Sequence, residues 1–403
     1  MNDIHFIAFG ALDPVDNGYK STATQLVRAL SSLAKVSLFR LPKVGEGPTV
    51  ALDGFDVCCA DLGVPVVRVA LRRELSAQRL VGAPLAAALS CLAGRRADWI
   101  SALRQAGLGA GGTPIMCFGM GWDPFATAAL QYFRFATFFP ADSISLFERN
   151  RRTTTVLGRA KQRAAIMVAA CVERRVARTA IDRVVFVSPR DAACVARISG
   201  SRRQVAVVPI GINRAEFQTS SNLPLPPRLM FSGVMDYLPN QDAVRYLVTE
   251  IFPRVETPGA SLRIVGKGAA KLNHLAREGV EFIDWVPSLS DALRDGTLFI
   301  CPLRMGAGAK NKVVQAMAGG LPVVGTLSSF SGFPVRPPGT FVCDTPATFA
   351  TTIDRLVADR AVLQAASRAA RDFVFTHCTW EASAARLLAV MGLASPQQET
   401  RLP

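Results

Sequence analysis

The stretch Phe299–Thr326, FICPLRMGAGAKNKVVQAMAGGLPVVGT, holds the residues of this chain best suited to chemistry. An apolar run leads into a loop with Gly306 and Gly308, and Lys310 and Lys312 follow. A short helical pattern then ends at Gly319-Gly320, and a second apolar run, Leu321–Gly325, starts at once. Strand, glycine loop, helix and strand make a right-handed crossover unit in one parallel sheet. Such a loop gathers backbone N–H groups and the positive end of a helix dipole at one point, and lysines add full charges there. The chemistry is anion binding, and a diphosphate fits it best. Spacing alone leaves open that the glycines only tighten a turn and that the lysines are solvated.

The elements that position this loop follow a regular alternation. Apolar runs at Leu229–Gly233, Ser261–Val265, Val280–Asp284, Thr297–Cys301 and Leu321–Gly325 read as strands. Helical patterns lie between them at Gln241–Phe252, Ala269–Glu278, Leu289–Arg294 and Lys310–Ala318. The first half shows strands at Ile4–Phe9, Val36–Leu41, Pro65–Val69, Ile115–Phe118 and Arg183–Val187. A helical face runs through Ser21–Leu33, and Ser188-Pro189-Arg190-Asp191 opens another helix with serine as N-cap. Alternation of this kind implies an α/β fold of two doubly wound, mostly parallel sheets. The serine- and proline-rich stretch Thr219–Arg228 reads as a linker, and Pro346–Met391 as alanine-rich helix.

The chain has 403 residues, enough for two ordinary domains, and a formal net charge of +15. A balance that basic suggests an anionic partner. The nine cysteines are scattered and form no C-x-x-C pair, which argues for free thiols in a reducing compartment. The three histidines are far apart, and nothing has zinc-site spacing. MNDIHFIAFGALDP reads as a first strand and not a signal peptide, and no run is long and apolar enough to span a membrane. From Glu148 to Arg178 nine basic residues stand against Glu148 and Glu173, around the apolar centre Ala164–Val172. That pattern suits either a helix on an anionic membrane surface or a core helix with solvated flanks.

The second half resembles the nucleotide-sugar-binding domain of retaining, family-four-like GT-B glycosyltransferases, the group 1 glycosyltransferases. The resemblance is carried by FSGVMDYLPNQDAV at Phe231–Val244, LRIVGKG at Leu262–Gly268, VEFIDWVPSLSDAL at Val280–Leu293 and CPLRMGAGAKNKVVQAMAGGLPVVGT at Cys301–Thr326. The first half resembles the family's acceptor domain through PVDNGYK at Pro14–Lys20, VERRVARTAIDRVVFVSPRDAACV at Val172–Val195 and VAVVPIGINRAEF at Val205–Phe217. Residues near 42–130 match poorly. The resemblance implies GT-B architecture, two Rossmann-like domains facing a central cleft. It divides the chain into an acceptor-binding domain at 1–218, a linker at 219–228, a nucleotide-sugar-binding domain at 229–375 and a returning helix and tail at 376–403.

The implied reaction moves a sugar from a nucleotide diphosphate donor to an acceptor hydroxyl, with retention. Lys312 and then Lys310 would stabilise the charge growing on the leaving phosphate, with the amides of Gly306, Ala307, Gly308 and Ala309. No acidic motif suggests a metal, and no cofactor is expected. Arg304 would join the phosphate site or brace the loop. Gly233 and Asp236 would face the phosphates, with Asn240 as a helix cap. Gly18 and Lys20 would close over the diphosphate from the first domain. Gly266 and Lys267 would line the cleft, and Ile283, Asp284 and Trp285 would read the base, unless Trp285 is a core anchor. Asp142 and Asp123 are acids worth testing as a base, and each also has a structural reading.

One departure stands out. Gln315 occupies a position where the family usually has a glutamate that binds the ribose hydroxyls, and Ala307 stands where many members have a second glutamate. Glutamine can bond a diol but lacks the charge that strengthens such bonds. Two readings follow. The first is an active transferase of surface or extracellular polysaccharide biosynthesis, cytoplasmic, acting on a lipid-linked or growing glycan acceptor, peripheral on an anionic membrane. The second is a catalytically silent relative that binds a nucleotide or a partner. A dinucleotide-dependent oxidoreductase is disfavoured because GALDPVDNG lacks G-x-G-x-x-G, and nucleic-acid binding rests on charge alone.

Overall fold

Short apolar runs bounded by glycine, proline and polar residues become buried parallel strands, because a sheet covered on both faces needs apolar residues throughout. The computed structural model describes residues 3–9, 18–41, 58–61, 112–119, 136–151, 153–178, 183–200, 205–217 and 220–394. The chain forms two compact units, one of residues 1–209 with 380–403 and one of residues 210–379.

In the first unit the elements run β1 (Asp3–Phe9), α1 (Gly18–Ser31), β2 (Lys35–Leu41), β3 (Cys58–Asp61), β4 (Ile115–Phe118), β5 (Ala136–Ala141), α2 (Ile144–Asn150), α3 (Val156–Arg178), β6 (Arg183–Phe186), α4 (Pro189–Ser199) and β7 (Val205–Val207). The strands form one parallel sheet in the order β3-β2-β1-β4-β5-β6-β7. Strand order reverses between β1 and β4, where such sheets place ligands. The expected strand at Pro65–Val69, the loop before Gly18 and Asp123 lie outside the described residues.

Buried acids tie α2, α3 and α4 together. Ser143 caps α2, donates its hydroxyl to Glu173 of α3 at 2.9 Å and donates its N–H to Asp191 of α4 at 2.7 Å. Ser145 adds its N–H and hydroxyl to Glu173 at 3.1 and 2.5 Å. Burial pushes the Glu173 carboxyl up, and these donors partly offset it.

The second unit runs β8 (Arg228–Ser232), α5 (Leu238–Tyr246), β9 (Ser261–Val265), β10 (Val280–Ile283), α6 (Leu289–Arg294), β11 (Leu298–Cys301), α7 (Asn311–Ala318), β12 (Val323–Gly325), β13 (Thr340–Val342), α8 (Pro346–Ala358) and α9 (Arg360–His377). Its parallel sheet has the order β10-β9-β8-β11-β12-β13, so the reversal falls between β8 and β11. Phe231 and Phe299 stack there with ring centroids 6.3 Å apart. The last helix, α10 (Trp380–Val390), packs on α1 in the first unit.

Several expectations need correction. The helix expected at Ala269–Glu278 is a run of 3-10 turns, Ala269–Leu275, set off by Gly268 at φ +85° and capped when Asp284 accepts the Ala270 N–H at 2.6 Å. α5 starts earlier than expected, with Pro239 in its first turn, and loosens into a π-helical turn at Leu247–Ile251 before Pro253. β13 was not expected at all. The stretch expected as a linker is pinned to the second unit: the Ser221 N–H reaches the Gly319 carbonyl at 2.9 Å, and Leu223 is buried. Serine and proline here make side-chain anchors and turns rather than slack chain.

Candidate functional site

The carboxyl ends of β8 and β11, the reversal point of the second sheet, bring the most sequence-expected residues together. β8 ends at Ser232 and the chain turns at Gly233, φ +154°. A Cβ on Gly233 would lie 2.6 Å from Lys312 Nζ and 2.7 Å from Asn240 Nδ2, so only glycine lets these two side chains meet there. Gly266 fits still more tightly, since its Cβ would lie 2.1 Å from the Gly233 carbonyl oxygen. Bonds beyond the strand ends fix this crossing: Gly233 N–H to Val265 at 2.9 Å, Met235 N–H to Lys267 at 2.8 Å and Gly266 N–H to Ile283 at 2.8 Å.

Beyond β11 the loop passes Gly306 at φ +106° and Gly308 at φ +72° and enters α7. It is held from behind. Ser331 donates to the Gly308 carbonyl at 2.9 Å, and Thr326 donates to the Leu303 carbonyl. Ala307 is buried and Ala309 packs against Gly332. Lys310 ends the loop as N-cap residue and folds its ammonium back onto the Ala307 and Gly308 carbonyls. It braces the loop in this conformation. Arg304 is also a brace: it pairs bidentately with Asp242 of α5 at 2.6 and 2.9 Å and lies 4.1 Å over the Tyr246 ring. Asp242 holds the guanidinium well above its already high range.

Lys312, in the first turn of α7, is different. Its ammonium donates to Asn240 Oδ1 at 2.6 Å and lies 4.2 Å above the face of Phe231. Burial, with Lys310 nearby, pulls it down to about 8. Gln315 sits one turn further on, half-buried on the same side of α7.

The remaining expected residues are spread more widely. Asp236 is exposed and paired with Lys271 at 2.5 Å, and that hydrogen bond holds its carboxyl below the usual range. Lys267 is exposed at the end of β9. Asp284 spends one carboxylate oxygen on the Ala270 N–H, which is a structural task. Trp285 is 74% exposed and is no core anchor. Gly18 and Lys20 open α1 in the first unit, and Asp142 lies in that unit between β5 and α2. Asn240 is not the cap expected of it, because Tyr237 holds that position and Asn240 lies inside α5. Sequence reasoning missed Asn240 and Asp242 as partners of Lys312 and Arg304. The available signal was two polar residues early in a helix that follows the glycine turn of a reversal strand.

Residues 226–359 match the family model described as Glycosyl transferases group 1. Sequence comparison with curated proteins finds no match. Among solved structures the chain is similar to WaaG, a glycosyltransferase involved in lipopolysaccharide biosynthesis, at 13% identity and TM-score 0.63, covering 96% of this chain and 100% of that one. It is similar to Anabaena Alr3699/HepE in complex with UDP and glucose at 12% identity and TM-score 0.65, covering 97% and 100%. It is also similar to a trehalose 6-phosphate synthase from Burkholderia multivorans at 14% identity and TM-score 0.64, covering 97% and 98%. The chain thus has GT-B architecture, and the unit that carries Lys312 belongs to the group 1 glycosyltransferases.

Proposed function

We propose that the protein transfers a sugar from a nucleoside diphosphate donor to an acceptor hydroxyl, retaining configuration and using no metal. One observation carries the reading. The reversal point of the second sheet holds a lysine ammonium, a glycine loop and the start of α7 at one place. Departure of the diphosphate leaves negative charge on its terminal phosphate, and preorganised cations and amides at that point lower the barrier. The HepE structure with bound UDP and glucose supports a nucleotide-sugar donor. Donor hydrolysis and transfer tests the reading. Activity should survive EDTA, and the product should keep the donor's anomeric configuration by NMR. Loss of activity in EDTA, or an inverted product, would remove the corresponding part.

Gln315 favours a second reading, a nucleotide-binding relative without turnover. Replacing it separates the two. Gln315→Glu adds a charged acceptor one turn from Lys312, and charged hydrogen bonds exceed neutral ones by about 1 kcal/mol. Donor affinity should hold or rise up to about fivefold. A variant that hydrolyses donor when the parent chain does not would establish the silent relative.

We further infer cytoplasmic work on a lipid-linked or growing glycan acceptor, in surface or extracellular polysaccharide assembly, at an anionic membrane. Support comes from α3. Val156, Ala160, Ala164, Met167 and Cys171 recur at helical spacing on its exposed side, and Met167 is 69% exposed. Arg159, Lys161, Arg163, Arg174 and Arg175 are exposed on the same helix. Among the described residues no helix is long and apolar enough to cross a membrane. The protein should sediment with phosphatidylglycerol vesicles at low salt and not with phosphatidylcholine vesicles, and Met167→Asp with Leu157→Asp should weaken binding at least tenfold. Absence of sedimentation with anionic vesicles would end this part of the reading.

A further inference from the structure

Lys312 differs from the ion-paired cations of its unit in that its hydrogen-bond partner is not a carboxylate. Arg304 has Asp242, Lys271 has Asp236, and Arg263 has Glu281. The partner of Lys312 is the neutral amide of Asn240, and the floor beneath it is the Phe231 ring. The amide is itself oriented. Asn240 Nδ2 donates to the Val234 carbonyl at 2.7 Å, which leaves Oδ1 as the atom facing the ammonium. Flipping the amide would set its NH2 group against the Lys312 ammonium and its oxygen against the Val234 carbonyl oxygen. Asn240 is 6% exposed, so water cannot readily replace either bond.

We propose that Asn240 is a positioning residue that aims Lys312 at the donor diphosphate while withholding a counter-ion, so that donor binding draws a proton onto this lysine. The proposal rests on the reading that Lys312 meets the diphosphate. The groups facing Lys312 fit it. From β11 comes the Cys301 thiol, which burial pushes up and keeps neutral. From the loop comes Lys310, which repels. From α5 comes Asn240, while Asp242 of the same helix is committed to Arg304. A carboxylate in place of Asn240 would hold Lys312 charged at all working pH values and would compete with phosphate. A neutral amide fixes direction and leaves the charge to be completed by the ligand. The balance is simple: the fraction of Lys312 that is neutral takes its proton from solvent as the diphosphate's negative charge arrives, and no bond to carbon changes.

The test is calorimetric titration with UDP, or with whichever of GDP, ADP and dTDP stabilises the protein most, in buffers of differing ionisation enthalpy. Near pH 8 the nucleotide phosphates are already ionised, and with Lys312 at about 8 roughly half a proton should be taken up per nucleotide bound. Affinity should fall about tenfold or more between about pH 7 and 9.5. Asn240→Asp should abolish the uptake, flatten the pH profile and lower affinity at neutral pH. Asn240→Ala should weaken binding while keeping the uptake. A merely structural role for Asn240 would lower affinity in both variants and leave the pH profile of Asn240→Asp unmoved, which would overturn the proposal. Absence of proton uptake by the parent protein would overturn it without any variant. If instead Lys312→Ala binds nucleotide as the parent does, the underlying site reading fails, whatever Asn240 does.

Discussion

Lys312→Ala is expected to abolish the thermal shift that a nucleoside diphosphate gives the parent protein, and to lower kcat/KM on the order of 10²–10³-fold, the cost of removing one preorganised donor from a developing anion. Lys312 is the cation whose ammonium is aimed at the reversal point without being spent on the protein's own charges. Lys310 bonds two loop carbonyls and Arg304 is clamped by Asp242, so neither can replace it without breaking the loop. The same variant should not unfold the protein. Burying Lys312 lowers its proton affinity from 10.5 to about 8, so the unfolded chain binds the proton more tightly. Stability therefore rises with pH from about 8 to 10.5 and is penalised below that window. Lys312→Ala removes that penalty, leaving a void that partly cancels the gain. Its ligand-free melting temperature should stay close to the parent's and lose the rise between those pH values. A full nucleotide shift in Lys312→Ala would show that the phosphate site is elsewhere.

Gly266→Ala is expected to give the largest stability loss of any single methyl addition at this site, about 2–5 kcal/mol. The added carbon would lie 2.1 Å from the Gly233 oxygen and 2.8 Å from its carbonyl carbon. Both are backbone atoms and cannot swing aside as the tip of a side chain can. The φ of +140° adds strain of its own. Relief requires β8 and β9 to part at their carboxyl ends, and Gly233 would move away from Lys312. The apparent melting temperature should fall by roughly 5–15 °C, and nucleotide binding should weaken with it. Gly392→Ala is the control, since it also has a positive φ but has nothing within 4 Å of the new carbon. It should cost about 1 kcal/mol or less. Equal losses at the two positions would mean that the Gly233–Gly266 crossing has slack.

The local signals that proved legible were those that depend on short-range chemistry. Ser261–Val265, Ile115–Phe118 and Leu289–Arg294 end where turn residues stop them, and the structure has the same bounds. Ser188 caps α4 through the Asp191 N–H, as serine before proline suggests. The glycine loop and family resemblance were readable because many fixed spacings recur together. What stayed hidden depends on partners distant in sequence. Nothing in PNQD says that Asn240 will meet a lysine 72 residues later. Nothing in the lone Glu173 says that two serines near residue 144 will bury it. β13 is three residues long, and its strand character comes from pairing with β12. Trp285 carried two readings, base contact and core anchor, and its exposure to solvent removes the second.

The order in which the polypeptide leaves the ribosome gives the placement of α10 a further meaning. The second unit is one uninterrupted run, and its two ends pair, with the Ile212 N–H on the Cys378 carbonyl at 2.8 Å and a bridge from Ile212 to Thr379. Everything it needs has been synthesised once Thr379 is made. The first unit begins first but lacks its final helix until residues 380–390 appear, and only then do Trp380, Ala384, Leu387 and Leu388 become available to its core. Domains usually complete in the order they emerge. Here the later-encoded unit is complete first, and the unit that starts the chain is the last to close.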